Sequence, residues 1–379
     1  MHIHIPTPGD HYSPATGSAV MTVIYQIARH HAITGGQSQI LVSKGTRSGY
    51  SIGERREVRA LASPRRWQKA IDLCLARTGL RRFFGERSYR PASQAIPRDF
   101  DGVVFVYNNP APLRMFRQDH PQALLCLWLQ NEVFRTYSCA EVRRLDASLD
   151  RFVCCSGYVG RAVEARLGQP SPKIKTVFNG VDSDVFTPSG LNRAVKDQTP
   201  LILFVGRVLP IKGVDLLLGA CSLLADEGLD FKLRIVGSSN FNSNDPLTSY
   251  ERRLRKSAQA LGDRVNFCPF LDRDAVVSEY QQASIFCAPS NWNEPFGLTI
   301  LEAMSCGLPV VASRKGGVPE YAGDCVLYFT PPDVRELAAK LRLLLTDKCL
   351  RKVMGDQARV AAQRLDWSVA YEKLSVSLM

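Results

Sequence analysis

An arginine and a lysine five residues apart, Arg207 and Lys212, follow directly on the apolar run Leu201-Ile202-Leu203-Phe204-Val205 and its closing Gly206. That run reads as a parallel strand, and in open α/β sheets ligands bind at the carboxyl ends of strands. Two cations at such an edge can converge on a diphosphate whose charge grows as it leaves. The bland alternative is a pair of solvated cations around a turn, and the strand-end position favours the first reading. A phosphate-binding P-loop is excluded, because its second glycine falls on Ile211 and its Ser/Thr on Gly213.

A second constellation is Asn291-Trp292-Asn293-Glu294-Pro295-Phe296-Gly297-Leu298-Thr299-Ile300-Leu301-Glu302. Two carboxylates flank a Pro-Phe-Gly turn that opens a helix. The free backbone N–H groups and positive dipole end of a helix start suit a phosphate or a polar sugar face. Glu302 could be an ordinary helix residue, but Leu301, Ala303 and Met304 surround it, and a carboxylate among apolar neighbours has a specific partner. A Gly316-Gly317 turn after the strand Pro309 to Ala312 suits close backbone approach to a ligand, or is a plain structural turn.

These residues need a scaffold of strands and helices, and the chain supplies it. Short β-branched runs at Val103–Val106, Leu124–Leu129, Phe152–Val153, Leu233–Val236 and Ile285–Ala288 alternate with amphipathic stretches, the rhythm of parallel sheets with crossover helices. With 379 residues there is room for about two domains. The polar, proline-bounded stretch 188–200 reads as the linker, giving domains 1–187 and 188–364. A helical spacing in 365–379 is expected to pack back on the first domain. Met1 to Pro6 reads as a first strand rather than a signal peptide, and no apolar stretch reaches the roughly 20 residues needed to span a bilayer.

Forty-eight Lys and Arg against 36 Asp and Glu leave a charge of +12, which favours anionic partners. The eleven cysteines form no CxxC pair and sit mostly in apolar runs, which suits reduced core thiols and a cytoplasmic location. Asp182-Ser183-Asp184 and Asp272-Arg273-Asp274 are assigned to a turn and to a helix cap, not to a metal. His2, His4, His11, His30, His31 and His120 lie away from both constellations and read as structural or surface residues.

Taken in order, Phe204-Val205-Gly206-Arg207…Lys212-Gly213, Asn179-Gly180-Val181-Asp182, Pro289-Ser290…Glu294-Pro295-Phe296-Gly297…Glu302-Ala303-Met304 and Gly307-Leu308-Pro309-Val310 resemble the family 4 retaining glycosyltransferases over nearly the whole C-terminal half. The resemblance implies a GT-B fold, two Rossmann-like domains facing a cleft with the last helix crossing back to the first. It implies transfer of a sugar from a nucleotide diphosphate donor with retention of configuration and without a metal or other cofactor. By position, Arg207 and Lys212 would grip the diphosphate, Glu302 the ribose, and Glu294 with the Phe296, Gly297 and Leu298 amides and Thr299 the sugar. Gly17, in Tyr12-Ser13-Pro14-Ala15-Thr16-Gly17, matches the family's glycine-rich loop at the donor phosphates more loosely. Where the family often has a histidine near the reacting sugar, this chain has Gln130, followed by Asn131, and both are candidate acceptor or sugar contacts.

The rival within the fold is an epimerase or hydrolase acting on the same donor. A nucleic-acid-binding protein would account for the charge but leaves Arg207, Lys212, Glu294 and Glu302 unexplained. One basic segment stands apart. From 55 to 90 there are eleven Lys and Arg against three acids, two-thirds of the chain's excess, with Trp67, Ala70, Ile71, Cys74 and Leu75 at helical spacing. That segment either packs its apolar stripe on the first domain's core or lies on an anionic membrane face.

Overall fold

The computed structural model describes all residues except 48, 60, 62, 189–198 and 241–244. It forms two compact units: 1–14, 18–179 and 370–379 in the first, 15–17 and 180–369 in the second. The expected linker at 188–200 falls mostly outside the described residues. The units divide at Asn179/Gly180, eight residues before the 187/188 boundary read from composition, and the closing segment joins the first unit from Ala370 rather than from 365.

The first unit holds a seven-stranded, wholly parallel sheet of β1 (His2–Ile5), β2 (Ser38–Ser43), β3 (Glu54–Val58), β4 (Val103–Tyr107), β5 (Leu124–Leu129), β6 (Arg151–Cys154) and β7 (Ile174–Thr176), in the order β3-β2-β1-β4-β5-β6-β7. Helices cover both faces of such a sheet, so its central strands read as unbroken apolar runs. The Leu-Leu-Cys-Leu-Trp-Leu of β5 is of this kind, buried from its second residue onward. The closing helix Trp367–Leu378 returns to this unit: the Tyr371 hydroxyl lies 3.0 Å from that of Thr34, and Arg151 donates to the Ser377 carbonyl at 3.1 Å.

The second unit holds six parallel strands, β8 (Leu201–Val205), β9 (Lys232–Val236), β10 (Val265–Cys268), β11 (Ile285–Ala288), β12 (Val310–Ser313) and β13 (Val326–Phe329), in the order β10-β9-β8-β11-β12-β13. Strand order runs outward in both directions from the β8–β11 pair, which is the switch point where a doubly wound sheet opens a crevice. Ile202, Phe204, Leu233, Ile235, Ile285 and Cys287 fill the core beneath it, packed with Leu217 and Leu224 of the helix Val214–Asp226. Among the described residues no helix is long and apolar enough to cross a membrane.

All eleven cysteines are free thiols, and six are buried. Burial pushes the Cys221 thiol up to about 12, so it packs as a small apolar group. Four of the six histidines are also interior: His2, His4, His31 and His120. His2 stacks on His31 with ring centroids 3.6 Å apart, and His4 lies against Phe105 with Nδ1 3.0 Å from the Tyr107 hydroxyl.

Candidate active site

Both constellations sit at the switch point of the second sheet. Gly206 closes β8, and a Cβ on Gly237, after β9, would lie 2.1 Å from the Gly206 carbonyl oxygen, so the two strand ends meet backbone to backbone. Arg207 comes next and is exposed; among the described residues no carboxylate lies within ion-pair distance of it. A single 3-10 turn, Pro210–Lys212, then swings Lys212 back, and Gly213 takes φ +71. A Cβ there would stand 2.0 Å from the Pro289 carbonyl oxygen. Asn291 N–H also donates to the Ile211 carbonyl at 2.9 Å. These contacts fix the loop after β8 on the loop after β11, which is how residues 82 apart in sequence become neighbours.

The neighbours are Lys212 and Glu294. The Lys212 ammonium donates to Glu294 Oε2 at 2.7 Å, and the same oxygen accepts from the Trp292 indole at 3.1 Å and the Ser290 hydroxyl at 3.2 Å. Burial alone would raise this carboxyl, but Lys212 first and then the Trp292 and Ser290 donors hold it below its usual range. Lys212 also faces the Trp292 ring, 5.6 Å from its centroid. All three bonds fall on Oε2. The result is an ionised carboxylate held through Oε2.

Two glycines hold its backbone. A Cβ on Gly316, at φ +68, would stand 2.1 Å from the Glu294 carbonyl oxygen, and Gly317 N–H donates to that oxygen at 2.8 Å. The close approach read from Gly316-Gly317 is therefore to the Glu294 loop itself, in the manner of a structural turn. Ser313 adds a buried hydroxyl bond to the Ser290 carbonyl at 2.7 Å.

After Glu294 the chain turns through Gly297, at φ +89, into the helix Leu298–Ser305. The Phe296 ring is buried and stacks on Tyr321 at 4.5 Å, so the Phe296-Gly297-Leu298 turn can offer a ligand its backbone amides, and Thr299 its hydroxyl as well. Glu302 lies on the second turn, half-buried, where its Oε2 accepts the Tyr280 hydroxyl at 3.0 Å. Burial raises its carboxyl, with Arg273 and the Tyr280 hydroxyl pulling the other way. The partner expected from its apolar setting is thus Tyr280.

The remaining candidates are placed differently. Gly17, at φ +52, precedes the Ser18 cap of the helix Ala19–Ile33. Gln130 is buried and exchanges two hydrogen bonds with Asn179, at 2.9 and 2.7 Å, while Asn131 is exposed beside a small cavity of about 50 Å³ that also meets Glu132, Arg135 and Arg166. Asp272 caps the helix Arg273–Gln282, accepting from Ala275 N–H, and Asp182 accepts from Val185 N–H in a turn. Sequence reasoning assigned no role to Ser290, Trp292 or Tyr280. Ser290 and Trp292 lie within the stretch Pro289 to Gly297 that carries Glu294, whereas nothing in the sequence ties Tyr280 to Glu302.

Residues 192–361 match the family Glycosyl transferases group 1. Among curated relatives, spore coat protein SA of Bacillus subtilis is 28% identical over 72% of this chain and 76% of that protein. A D-inositol 3-phosphate glycosyltransferase of Corynebacterium jeikeium is 36% identical over 53% of this chain, and the match spans half of that protein. Sulfoquinovosyl transferase SQD2 of Arabidopsis thaliana is 29% identical over 62% of this chain and 45% of its own length. The Anabaena protein HepE, solved in complex with UDP-glucose, superposes with a TM-score of 0.72 at 18% identity over 100% of this chain and 99% of its own. A sucrose-phosphate synthase from Thermosynechococcus elongatus superposes at 0.73 and 19% identity, covering 99% and 98%. At such identities the structural likeness establishes the fold, GT-B.

Proposed function

We propose that this chain, whose residues 192–361 match the group 1 glycosyl transferases and whose fold is GT-B, is a transferase of that group and moves a sugar from a nucleoside diphosphate donor to a hydroxyl acceptor with retention of anomeric configuration. The observation that carries the reading is the grouping at one switch point of an exposed arginine, a lysine and an ionised carboxylate. In this reading Arg207 and Lys212 hold the diphosphate, Gly206 and Gly17 bring backbone close to it, and Glu302 takes the ribose hydroxyls through the oxygen that Tyr280 leaves open. Glu294, the amides of Phe296, Gly297 and Leu298, and Thr299 hold the sugar. Structural neighbours solved with UDP and with UDP-glucose support the donor class.

The acceptor oxygen forms its bond to the anomeric carbon on the face from which the diphosphate departs. The carbon–oxygen bond to the phosphate breaks with its electron pair, and the acceptor's proton passes to a leaving phosphate oxygen. Charge therefore accumulates on the diphosphate, where Arg207 and Lys212 take the place that a divalent ion fills in other transferases. No protein nucleophile is required. The acceptor is a sugar or lipid-linked hydroxyl in polysaccharide or glycolipid assembly, at or near the inner face of the membrane in the cytoplasm. Asn131 is the stronger contact for it, since Gln130 spends both ends of its amide on Asn179.

The test is to find the donor by thermal shift against a panel of nucleotide sugars, since a ligand of the folded state raises its apparent stability. Acceptor-dependent release of nucleoside diphosphate and a product of unchanged configuration by NMR are then expected. Donor consumption without acceptor would move the reading to a hydrolase or epimerase.

The two carboxylates are expected to separate. Glu302→Gln weakens binding of the bare nucleoside diphosphate, while Glu294→Gln chiefly lowers turnover and discrimination between sugars, as calorimetry and steady-state kinetics would show. Equal loss of the bare diphosphate in both variants would withdraw the two roles.

A further inference from the structure

The helix Arg66–Arg77 in the first unit is docked the wrong way round for a core element. Only Asp72 and Ala76 are buried. The Asp72 carboxylate accepts the Phe84 and Gly85 amides at 2.9 and 2.8 Å, so the acidic residue faces inward and anchors the short helix Phe83–Arg87 that follows. The large apolar side chains face out: Trp67 is 54% exposed, Ile71 41%, Leu80 58% and Phe83 51%. Among the described residues, Trp67 and Phe83 are the exposed Trp and Phe of the molecule. The core-packing alternative drawn from the helical spacing therefore fails, because the stripe that was to pack inward meets solvent.

Cations frame this face. Arg65, Arg66, Lys69, Arg77 and Arg87 are exposed, and none has a carboxylate within ion-pair distance among the described residues; Arg81 reaches Glu86 at 3.5 Å. Arg82 is different, since it donates to Glu141 at 2.9 Å and its guanidinium lies 3.5 Å from the Tyr137 ring centroid, so it belongs to the unit's own structure. An outward apolar group of Trp, Phe, Ile and Leu ringed by unpaired cations has the composition of an interfacial anchor.

We propose that this face is a docking surface for an anionic lipid bilayer, with Trp67, Ile71, Leu80 and Phe83 entering the interface and the surrounding cations resting on headgroup phosphates. Charge complementarity selects this occupant over a second copy of the chain, because pairing the face with itself would set unpaired cations against one another. The inference is independent of the transfer reaction.

Each cation brought to an anionic bilayer strengthens binding about fivefold. Sedimentation of the full chain with phosphatidylcholine vesicles, with and without phosphatidylglycerol, reads this directly. Salt-sensitive binding to the anionic vesicles only is expected, and Arg65, Arg66, Lys69 and Arg77 replaced together by Ser should weaken it on the order of a hundredfold or more. Trp67→Ser should weaken it with the cations intact. Both variants should keep the parent's melting temperature, which shows the fold is retained. Absent binding, equal binding to both vesicle types, undiminished binding by the folded variants, or dimerisation abolished by Trp67→Ser would each overturn the proposal. Nucleotide-sugar thermal shifts, unchanged in these variants, keep a failure here distinct from a failure of the transferase reading.

Discussion

Replacing the Arg207 guanidinium or the Lys212 ammonium is expected to lower turnover by about 10²–10³-fold, the usual effect of losing one preorganised group at developing charge. Arg207→Ala is the cleaner experiment, because Arg207 is exposed and no carboxylate pairs with it among the described residues, so nothing in the fold depends on its charge. Lys212→Ala carries a second effect. Glu294 would lose its cation while keeping the Trp292 and Ser290 donors, and a half-buried carboxylate without its partner destabilises its surroundings. Lys212→Gln separates the two, since it keeps a donor toward Glu294 but removes the charge. A melting curve unlike the parent's would disqualify a variant from the comparison. Near-normal turnover in folded Arg207→Ala or Lys212→Gln would remove these residues from the reaction.

The second large effect concerns stability in acid. Burial, and then the proximity of His31 and the N-terminal ammonium, lower the His2 imidazole to about 3; burial likewise lowers His4 and His31 below the ordinary 6.5. A histidine depressed in the folded state is neutral there while its unfolded counterpart takes up a proton. The unfolded chain therefore binds more protons as pH falls below about 6.5, and stability present above that value is lost toward the His2 value near 3. For His2 the loss is at most about 1.4 kcal/mol per pH unit within that window, and His4 and His31 act in the same direction. With His2 and His4 on the interior strand β1 and His31 on the helix Ala19–Ile33 beside it, all three lowered, that unit should lose stability as pH falls below about 6.5. Denaturant midpoints measured across this range are expected to fall steeply, and less so in His4→Asn. A flat profile would mean the cluster accepts protons without opening.

Much of the fold was legible in the residues because parallel sheets write themselves as short apolar runs between amphipathic stretches. Leu124–Leu129, Leu201–Val205 and Ile285–Ala288 each form a strand over the range read from sequence. The domain boundary was less legible. Composition marks where the chain is polar, but the division follows backbone packing. Val181 N–H bonds the Leu365 carbonyl, and a Cβ on Gly180 would stand 2.6 Å from the Trp367 nitrogen, which ties 180–187 to the second unit.

The sequence by itself determined the chemistry: two cations after one strand, two carboxylates around a Pro-Phe-Gly turn after another, and a basic segment with an apolar stripe. These are properties of residue type and local spacing, which a chain displays without folding. Tertiary structure decided which atoms meet. It set Lys212 on Glu294 across 82 residues through backbone contacts that only glycine at 213 and 316 permits, and gave Glu302 a tyrosine 22 residues upstream. It also turned the stripe of the 66–77 helix outward, because one buried acid, Asp72, binds two backbone amides on the inner side. Helical spacing says that a face is apolar; what the opposite face binds determines which of the two is turned to water.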